Sequence, residues 1–323
     1  MLPIAVDAMG GDKAPGEIVA GAREAAAQGI PVVLVGPADL ADRGDLPLIV
    51  ASEVIAMDDD PAAGVRRKKD STLVRAAEAV RDGKASAMIS AGNTGATMAA
   101  ALLRMGRISG VKRPAIATIV PVPGSTPTVL LDSGANAEVQ TEWLVQFAQM
   151  GSVFSTHRFG VQNPRVGLLS IGEEPGKGDT LRKEAFALLE NAPGINFIGN
   201  VEGRDIMTEG VDVVVTDGFT GNVVLKTLEG ALRGVIKALF DAFASDPANK
   251  PHVDALLPSL LPLYAMLDPE TYGGAILLGV DGVCIISHGS TSAKAMVNAV
   301  KLAQEMVSAG VVEQIRQAIA AEA

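Results

Sequence analysis

Four short clusters combine small residues with side chains that bind and orient: Asp7-Ala-Met-Gly-Gly-Asp12, Ser90-Ala-Gly-Asn-Thr-Gly-Ala96, Asp132-Ser-Gly-Ala-Asn136 and Asp217-Gly-Phe-Thr-Gly-Asn222. Each follows an apolar run of strand character, which places all four on one sheet edge as an expectation. Glycine lets a backbone N–H approach an anion, and a helix starting just behind it adds unpaired N–H groups and a positive dipole end. The second and fourth clusters share a Thr-Gly pair at a helix start and read as two similar anion cradles. The candidate binding residues are Asp7, Gly10, Gly11, Asn93, Thr94, Gly95, Asp132, Asn136, Thr220 and Gly221. His288 follows a strand and joins them. Asn222 and Asp217 are candidates for the chemistry itself, with Lys177 as the first cation and Lys226 as the second.

Other chemistries find little purchase. Gly172-Glu-Glu-Pro-Gly-Lys177-Gly178 imitates a nucleotide-phosphate loop, but it is one residue short, lacks Ser/Thr after the lysine and carries two carboxylates. No Gly-x-Gly-x-x-Gly follows the first strand, so no dinucleotide fingerprint is present. Cys284 sits in the apolar run Gly282–Ile286 and reads as core. The three histidines are far apart, and no His/Cys/carboxylate spacing suggests zinc. Neither a metal nor a cofactor is expected. Asp58-Asp-Asp60 reads as a helix cap, and Arg66-Arg-Lys-Lys69 as a patch that would steer an acidic partner.

These residues need a scaffold, and the apolar pattern supplies one. Strand-like runs at 3–6, 31–35, 87–90, 115–120, 128–131, 166–170, 211–216 and 283–287 alternate with helical stretches at 17–28, 73–81, 138–147, 181–189, 222–243 and 293–307. Continuous Val/Ile/Leu runs separated by helices imply parallel strands covered on both faces. The fold expected is α/β and doubly wound: a mostly parallel sheet in a three-layer αβα arrangement, with 1–323 as one large unit. A Pro- and Leu-rich excursion at about 244–268 breaks the rhythm. It reads as a helix pair packed on the body or on a partner subunit, or as an apolar tip facing a membrane.

With 27 Lys+Arg against 37 Asp+Glu, the net charge of −10 argues against a nucleic-acid partner. Hydrophobic residues at 48% exclude a disordered chain. One cysteine precludes an internal disulfide and fits a reducing cytoplasm. No targeting segment and no run of about 18 apolar residues is present, so a cytoplasmic protein with at most peripheral membrane contact is expected.

Taken together and in order, the motifs resemble the bacterial phosphate acyltransferases of phospholipid synthesis. The resemblance spans almost the whole chain, through Asp7–Asp12, Asp58–Pro61, Arg66–Asp70, Ser90–Gly95, Leu131–Asn136, Ile171–Glu174 with Lys177-Gly178, Asp217–Lys226, Tyr272–Ala275, Leu277–Gly279 and His288–Ser290. It implies transfer of a long-chain fatty acyl group from acyl carrier protein to inorganic phosphate, giving acyl phosphate for a membrane glycerol-3-phosphate acyltransferase. It also implies a homodimer and a fold similar to phosphotransacetylases and the isopropylmalate dehydrogenase group. Phosphate dianion is already a nucleophile, so the absence of an activated Ser or Cys fits. The carrier is acidic as a class, which gives Arg66, Arg67, Lys68 and Lys69 a docking role, with Arg104, Arg107, Lys112 and Arg113 as a second basic cluster. Alternatives are a phosphotransacetylase using acyl-coenzyme A, a decarboxylating dehydrogenase, and a membrane-peripheral scaffold.

Overall fold

The computed structural model describes residues 1–320. In chain order, β1 (Ile4–Asp7), α1 (Gly16–Ala27), β2 (Val32–Gly36), β3 (Leu48–Val50), α2 (Pro61–Arg67), α3 (Thr72–Arg81), β4 (Ala87–Ser90) and α4 (Thr94–Ala100) form the first half. Then β5 (Ala115–Val120) and β6 (Thr128–Leu131) lead into α5 (Thr141–Phe159), β7 (Arg165–Leu169), α6 (Thr180–Glu190), β8 (Asn196–Val201) and β9 (Val213–Val215). The long α7 (Gly218–Ala244) and α8 (Lys250–Leu267) follow, before β10 (Ala275–Leu278), β11 (Val283–Ile286), α9 (Ala293–Ser308) and α10 (Val311–Ala320).

Among the described residues, eleven strands join one sheet in the order β3-β2-β1-β4-β11-β10-β5-β6-β9-β7-β8. Side chains on a strand alternate between faces, and the core divides accordingly. On β1, Ile4 and Val6 pack with α1 and α9, while Ala5 packs on the other face with α3 and α4. On β9, Val213 and Val215 join the α5 side, and Val214 meets Val224, Leu225 and Leu228 of α7. The result is the three-layer α/β arrangement expected from the apolar runs. Polar caps start the helices: Asp60 accepts from Ala63 N–H at 2.7 Å, Asn93 from Ala96 at 3.0 Å, Asp179 from Arg182 at 2.9 Å and Asp217 from Thr220 at 2.8 Å. The Asp58–Asp60 run thus supplies a cap, as its composition suggested.

The excursion is largely open to solvent in the single chain. Beyond Gly221, α7 buries no residue, and α8 buries none. Past Leu228, which packs on the sheet, α7 runs out and pairs with α8 as a projecting hairpin. Val235 is 67% exposed, Leu256 56% and Leu261 54%, so the hairpin carries apolar surface with no cover in the single chain. No helix among the described residues is long and apolar enough to cross a membrane.

Two glycines in helices separate backbone preference from packing. A Cβ at Gly151 of α5 would lie 2.6 Å from Val213 Cγ1 on buried β9, whereas one at Gly230 of α7 meets nothing within 4 Å. Alanine gains about 1 kcal/mol of helix preference at either site, but overpacking a core costs about 1–3 kcal/mol. Gly230→Ala should therefore raise the melting temperature and Gly151→Ala lower it; two shifts of the same sign in thermal unfolding would contradict the packing described.

Candidate active site

Strand direction decides which motifs meet. β1, β4 and β11 are parallel, so the loops after them share one edge: Asp7–Asp12, Ser90–Asn93 and Ser287–His288. The chain then reverses three times across the sheet, at β11/β10, β10/β5 and β5/β6. β6, β9 and β7 are parallel to one another and opposite to the first set. Asp132–Asn136, the loop carrying Lys177 and Asp217–Asn222 therefore lie on the other edge. This corrects the expectation of four clusters on one edge: the antiparallel strands in the middle of the sheet turn half of them round.

The first edge is a packed knot. Asp7 is buried and accepts from Ser90 Oγ at 2.7 Å and Met9 N–H at 3.2 Å. Burial pushes its carboxyl above the usual carboxylate range, against the pull of hydrogen bonds from Thr72 and Ser90 and the N–H groups of Met9 and Gly10. A Cβ at Gly10 would lie 2.8 Å from each of Asp7 Oδ2, Ser90 Oγ and Gly92 N, and Gly11 adopts φ +104° against Gly289 O. Asn93 caps α4 and its Nδ2 holds the carbonyls of Met57 and Asp59 at 3.0 and 3.1 Å, with Thr94 and Gly95 following on the first turn. At Gly95 a Cβ would strike Pro61 Cγ at 2.7 Å. His288 is exposed, with Nδ1 2.8 Å from Ser290 Oγ. Nearby, Arg66, Arg67 and Lys69 are exposed. Lys68 is instead engaged, donating to Asp59 at 2.5 Å and to Val54 O at 2.9 Å, and it holds the Asp59 carboxyl below the usual range.

The second edge contains a recess. The Asp132 carboxylate accepts from the N–H groups of Ile116, Gly134, Ala135 and Asn136 and from Asn136 Nδ2, at 2.8–3.1 Å. Burial raises its pKa despite these donors. The turn it holds presents Asn136 O to Gly218 N–H at 2.7 Å, which sets the start of α7. Asp217 caps that helix and pairs with Arg182. Burial acts to raise the Asp217 pKa, but bonds from Thr220 and Arg182 prevail and hold it below the usual range. Ala137, Glu138, Val139, Leu181, Arg182, Asp217 and Thr220 line an open cavity of about 440 Å³.

Several site residues stand differently from expectation. The N–H of Thr220 is already bonded to Asp217 Oδ1 and that of Gly221 to Asp217 O, so neither faces an anion. A Cβ at Gly221 would fall 1.9 Å from Asp132 O, so this glycine makes room for protein rather than for ligand. Lys226 is paired with Glu229 at 2.8 Å, two turns along α7. Lys177 is exposed on the loop after β7, its aliphatic stem folded against Gly172. Asn222 is exposed beside Gly134. Arg182, which sequence reasoning passed over, stands at the centre. Its signal was Asp-x-x-Arg at 179–182, a cap with the arginine at the position that folds back on it. Cys284 is core, its thiol pushed up to about 12 by burial. Among the described residues no group of three or more His, Cys, Asp or Glu is placed to hold a metal ion.

The Asp7 knot has a pH signature. A carboxyl raised by burial binds its proton more tightly in the folded chain than in the unfolded one. Its contribution is then most favourable below the ordinary value of 3.8 and is lost as pH rises through the folded value. Asp7→Asn, which keeps the acceptor for Met9, should lose less stability than wild type in urea unfolding as pH rises above the ordinary carboxylate value of 3.8. Parallel pH profiles for the two proteins would exclude the raised carboxyl.

Comparison with known proteins agrees with the architecture. The model of the family described as "Fatty acid synthesis protein" matches residues 2–314. A phosphate acyltransferase of Desulfitobacterium hafniense (strain Y51) is 48% identical over 327 residues, covering 98% of this chain and 97% of the relative. Among solved structures, a phosphotransacetylase from Streptococcus pyogenes superposes with a TM-score of 0.63 at 15% identity, covering 97% of this chain and 94% of that one. A 4-hydroxythreonine-4-phosphate dehydrogenase from Klebsiella pneumoniae gives a TM-score of 0.52 at 15% identity, covering 95% of this chain and all of that one (100%). Those two show a shared fold. Matched by the family model over nearly its whole length and 48% identical to a curated relative over 98% of the chain, this chain belongs to the fatty acid synthesis protein family and is an acyltransferase.

Proposed function

We propose that this chain transfers a long-chain fatty acyl group from acyl carrier protein to inorganic phosphate, yielding acyl phosphate for phosphatidic acid synthesis. The observation that carries the reading is the 48% identity to a phosphate acyltransferase over 98% of the chain. A phosphate oxygen attacks the thioester carbon, the C–O bond forms, the C–S bond breaks, and the carrier thiolate leaves to take a proton. The site must hold phosphate beside the thioester and stabilise the developing oxyanion. Lys177 and the Asn222 amide, both exposed and both on the same sheet edge as the Arg182 recess, are assigned to these tasks. Asp217 acts through the helix start and the arginine that it holds.

Two basic clusters compete for the carrier. Arg107, Lys112 and Arg113 are exposed, and Asn136 Nδ2 reaches Pro114 O at 2.8 Å, so this group adjoins the recess. Arg113 lies 5.0 Å above the Trp143 ring, which steadies it. The run Arg66, Arg67 and Lys69 belongs to the opposite edge. The docking role therefore goes to the 107–113 group. A homodimer through the apolar hairpin of α7 and α8 completes the reading, with the hairpin tip as the part that would touch a membrane.

Release of carrier thiol from palmitoyl-carrier protein should require inorganic phosphate, and hydroxylamine should trap the acyl phosphate. Equal turnover of palmitoyl-coenzyme A would move the assignment to a phosphotransacetylase, and no release from either thioester would remove it. Lys112→Glu with Arg113→Glu should weaken carrier affinity and flatten its salt dependence, while charge removal at Arg66, Arg67 and Lys69 should do so less; the reverse order would return docking to the 66–69 run.

A further inference from the structure

We propose that Arg182 is the phosphate anchor of the recess and that the Asp179 carboxylate occupies the anchor until phosphate displaces it. This rests on the reading of phosphate as co-substrate. Arg182 lies on the first turn of α6 with its side chain 12% exposed, between two carboxylates that are held very differently. Asp217 is 8% exposed and doubly fixed, its Oδ1 on Thr220 N–H and its Oδ2 on Thr220 Oγ1, both at 2.8 Å. It engages Nη2, which also reaches Thr216 Oγ1 and Thr220 Oγ1 at 3.3 Å. Asp179 is 60% exposed and engages Nη1 at 2.9 Å through Oδ2 alone, while its Oδ1 caps the helix.

The two halves of the guanidinium therefore have different partners and different permanence. Nη2 is committed to a buried pair whose rupture would leave Asp217 uncompensated. Nη1 is held by a solvent-screened carboxylate, a weak bond in high dielectric. The cavity of about 440 Å³ opens on this arginine and on Thr220. A phosphate dianion entering it carries more charge than Asp179 and more acceptors, and forms the stronger charge-assisted bond to Nη1. The displaced carboxylate keeps its Oδ1 on Arg182 N–H, so α6 stays capped during the exchange. Glu138 on the cavity wall opposes any anion by its charge and forms no ion pair with Arg182, whose partners are Asp179 and Asp217.

The substitution that reads this is Asp179→Asn, which keeps the capping oxygen and removes the competing charge. The apparent KM for phosphate should fall by about threefold or more, while Arg182→Lys, which retains charge but not the fork, should raise it about tenfold. In the Arg182→Lys background the effect of Asp179→Asn should vanish, whereas that of Glu138→Gln should persist. A phosphate KM that Asp179→Asn leaves unchanged or raises would overturn the exchange, as would a full Asp179→Asn effect in the lysine background. Thermal stabilisation by inorganic phosphate without any acyl donor provides the second readout: present in wild type, stronger in Asp179→Asn and lost in Arg182→Lys. If wild type is stabilised in this way but releases no thiol from either thioester, the acyltransfer reading fails and the anion site stands. If it releases thiol while both variants keep the wild-type KM and stabilisation, the anion site fails and acyl transfer stands.

Discussion

A carboxylate taken out of water costs several kcal/mol, and it survives folding only when its lone pairs are used. Asp132 uses them on two segments at once: the start of β5 through Ile116, and the turn that follows β6 through its N–H groups and the Asn136 side chain. Asn136 passes the constraint on, its carbonyl to Gly218 and its amide to Pro114. The first turn of α7 is thereby pressed so close that Gly221 has no room for a side chain beside Asp132 O. Asp217, Thr220 and Arg182 take their places from that turn. Asp132 therefore shapes the recess from within, buried and bonded by five donors.

The interior strands were legible because burial on both faces leaves no option but continuous apolar runs. Ala87–Ser90, Ala115–Val120 and Thr128–Leu131 fall where the Val/Ile/Leu pattern places them. The outer strands were not. β3 and β8 are the two sheet edges, half-exposed, and β8 contains Asn196, Gly199 and Asn200. Their pairing comes from a neighbour rather than from composition. Direction was equally hidden. β10 is a short apolar run behind two glycines that adopt positive φ; its antiparallel insertion makes two of the three reversals, which cancel, and the antiparallel β5/β6 pair supplies the net reversal that separates the two cradles. Local pattern identifies a strand but not its sense, so motifs after strands of unknown sense cannot be assigned to one edge from sequence.

Glycine-rich strand ends carry the same ambiguity at smaller scale. A glycine yields space either to a ligand or to the rest of the protein, and the sequence is identical in both cases. At Gly10, Gly95 and Gly221 the space is already occupied by protein atoms within 3.0 Å of an added Cβ. Gly176, next to Lys177, meets nothing within 4 Å. The open approach on the second edge therefore lies over the Lys177 loop and the arginine, not over the glycines of the cradle. What makes Arg182 suited to an anion is the inequality of its two partners. A lone exposed lysine attracts an anion but does not orient it. A guanidinium pinned on one side by a buried carboxylate has its plane set before the anion arrives. A second carboxylate, loose and solvated, keeps the free side from binding whatever anion diffuses past. Pinning supplies geometry and the loose partner supplies reversibility, and a site that must take up phosphate and then release acyl phosphate needs both.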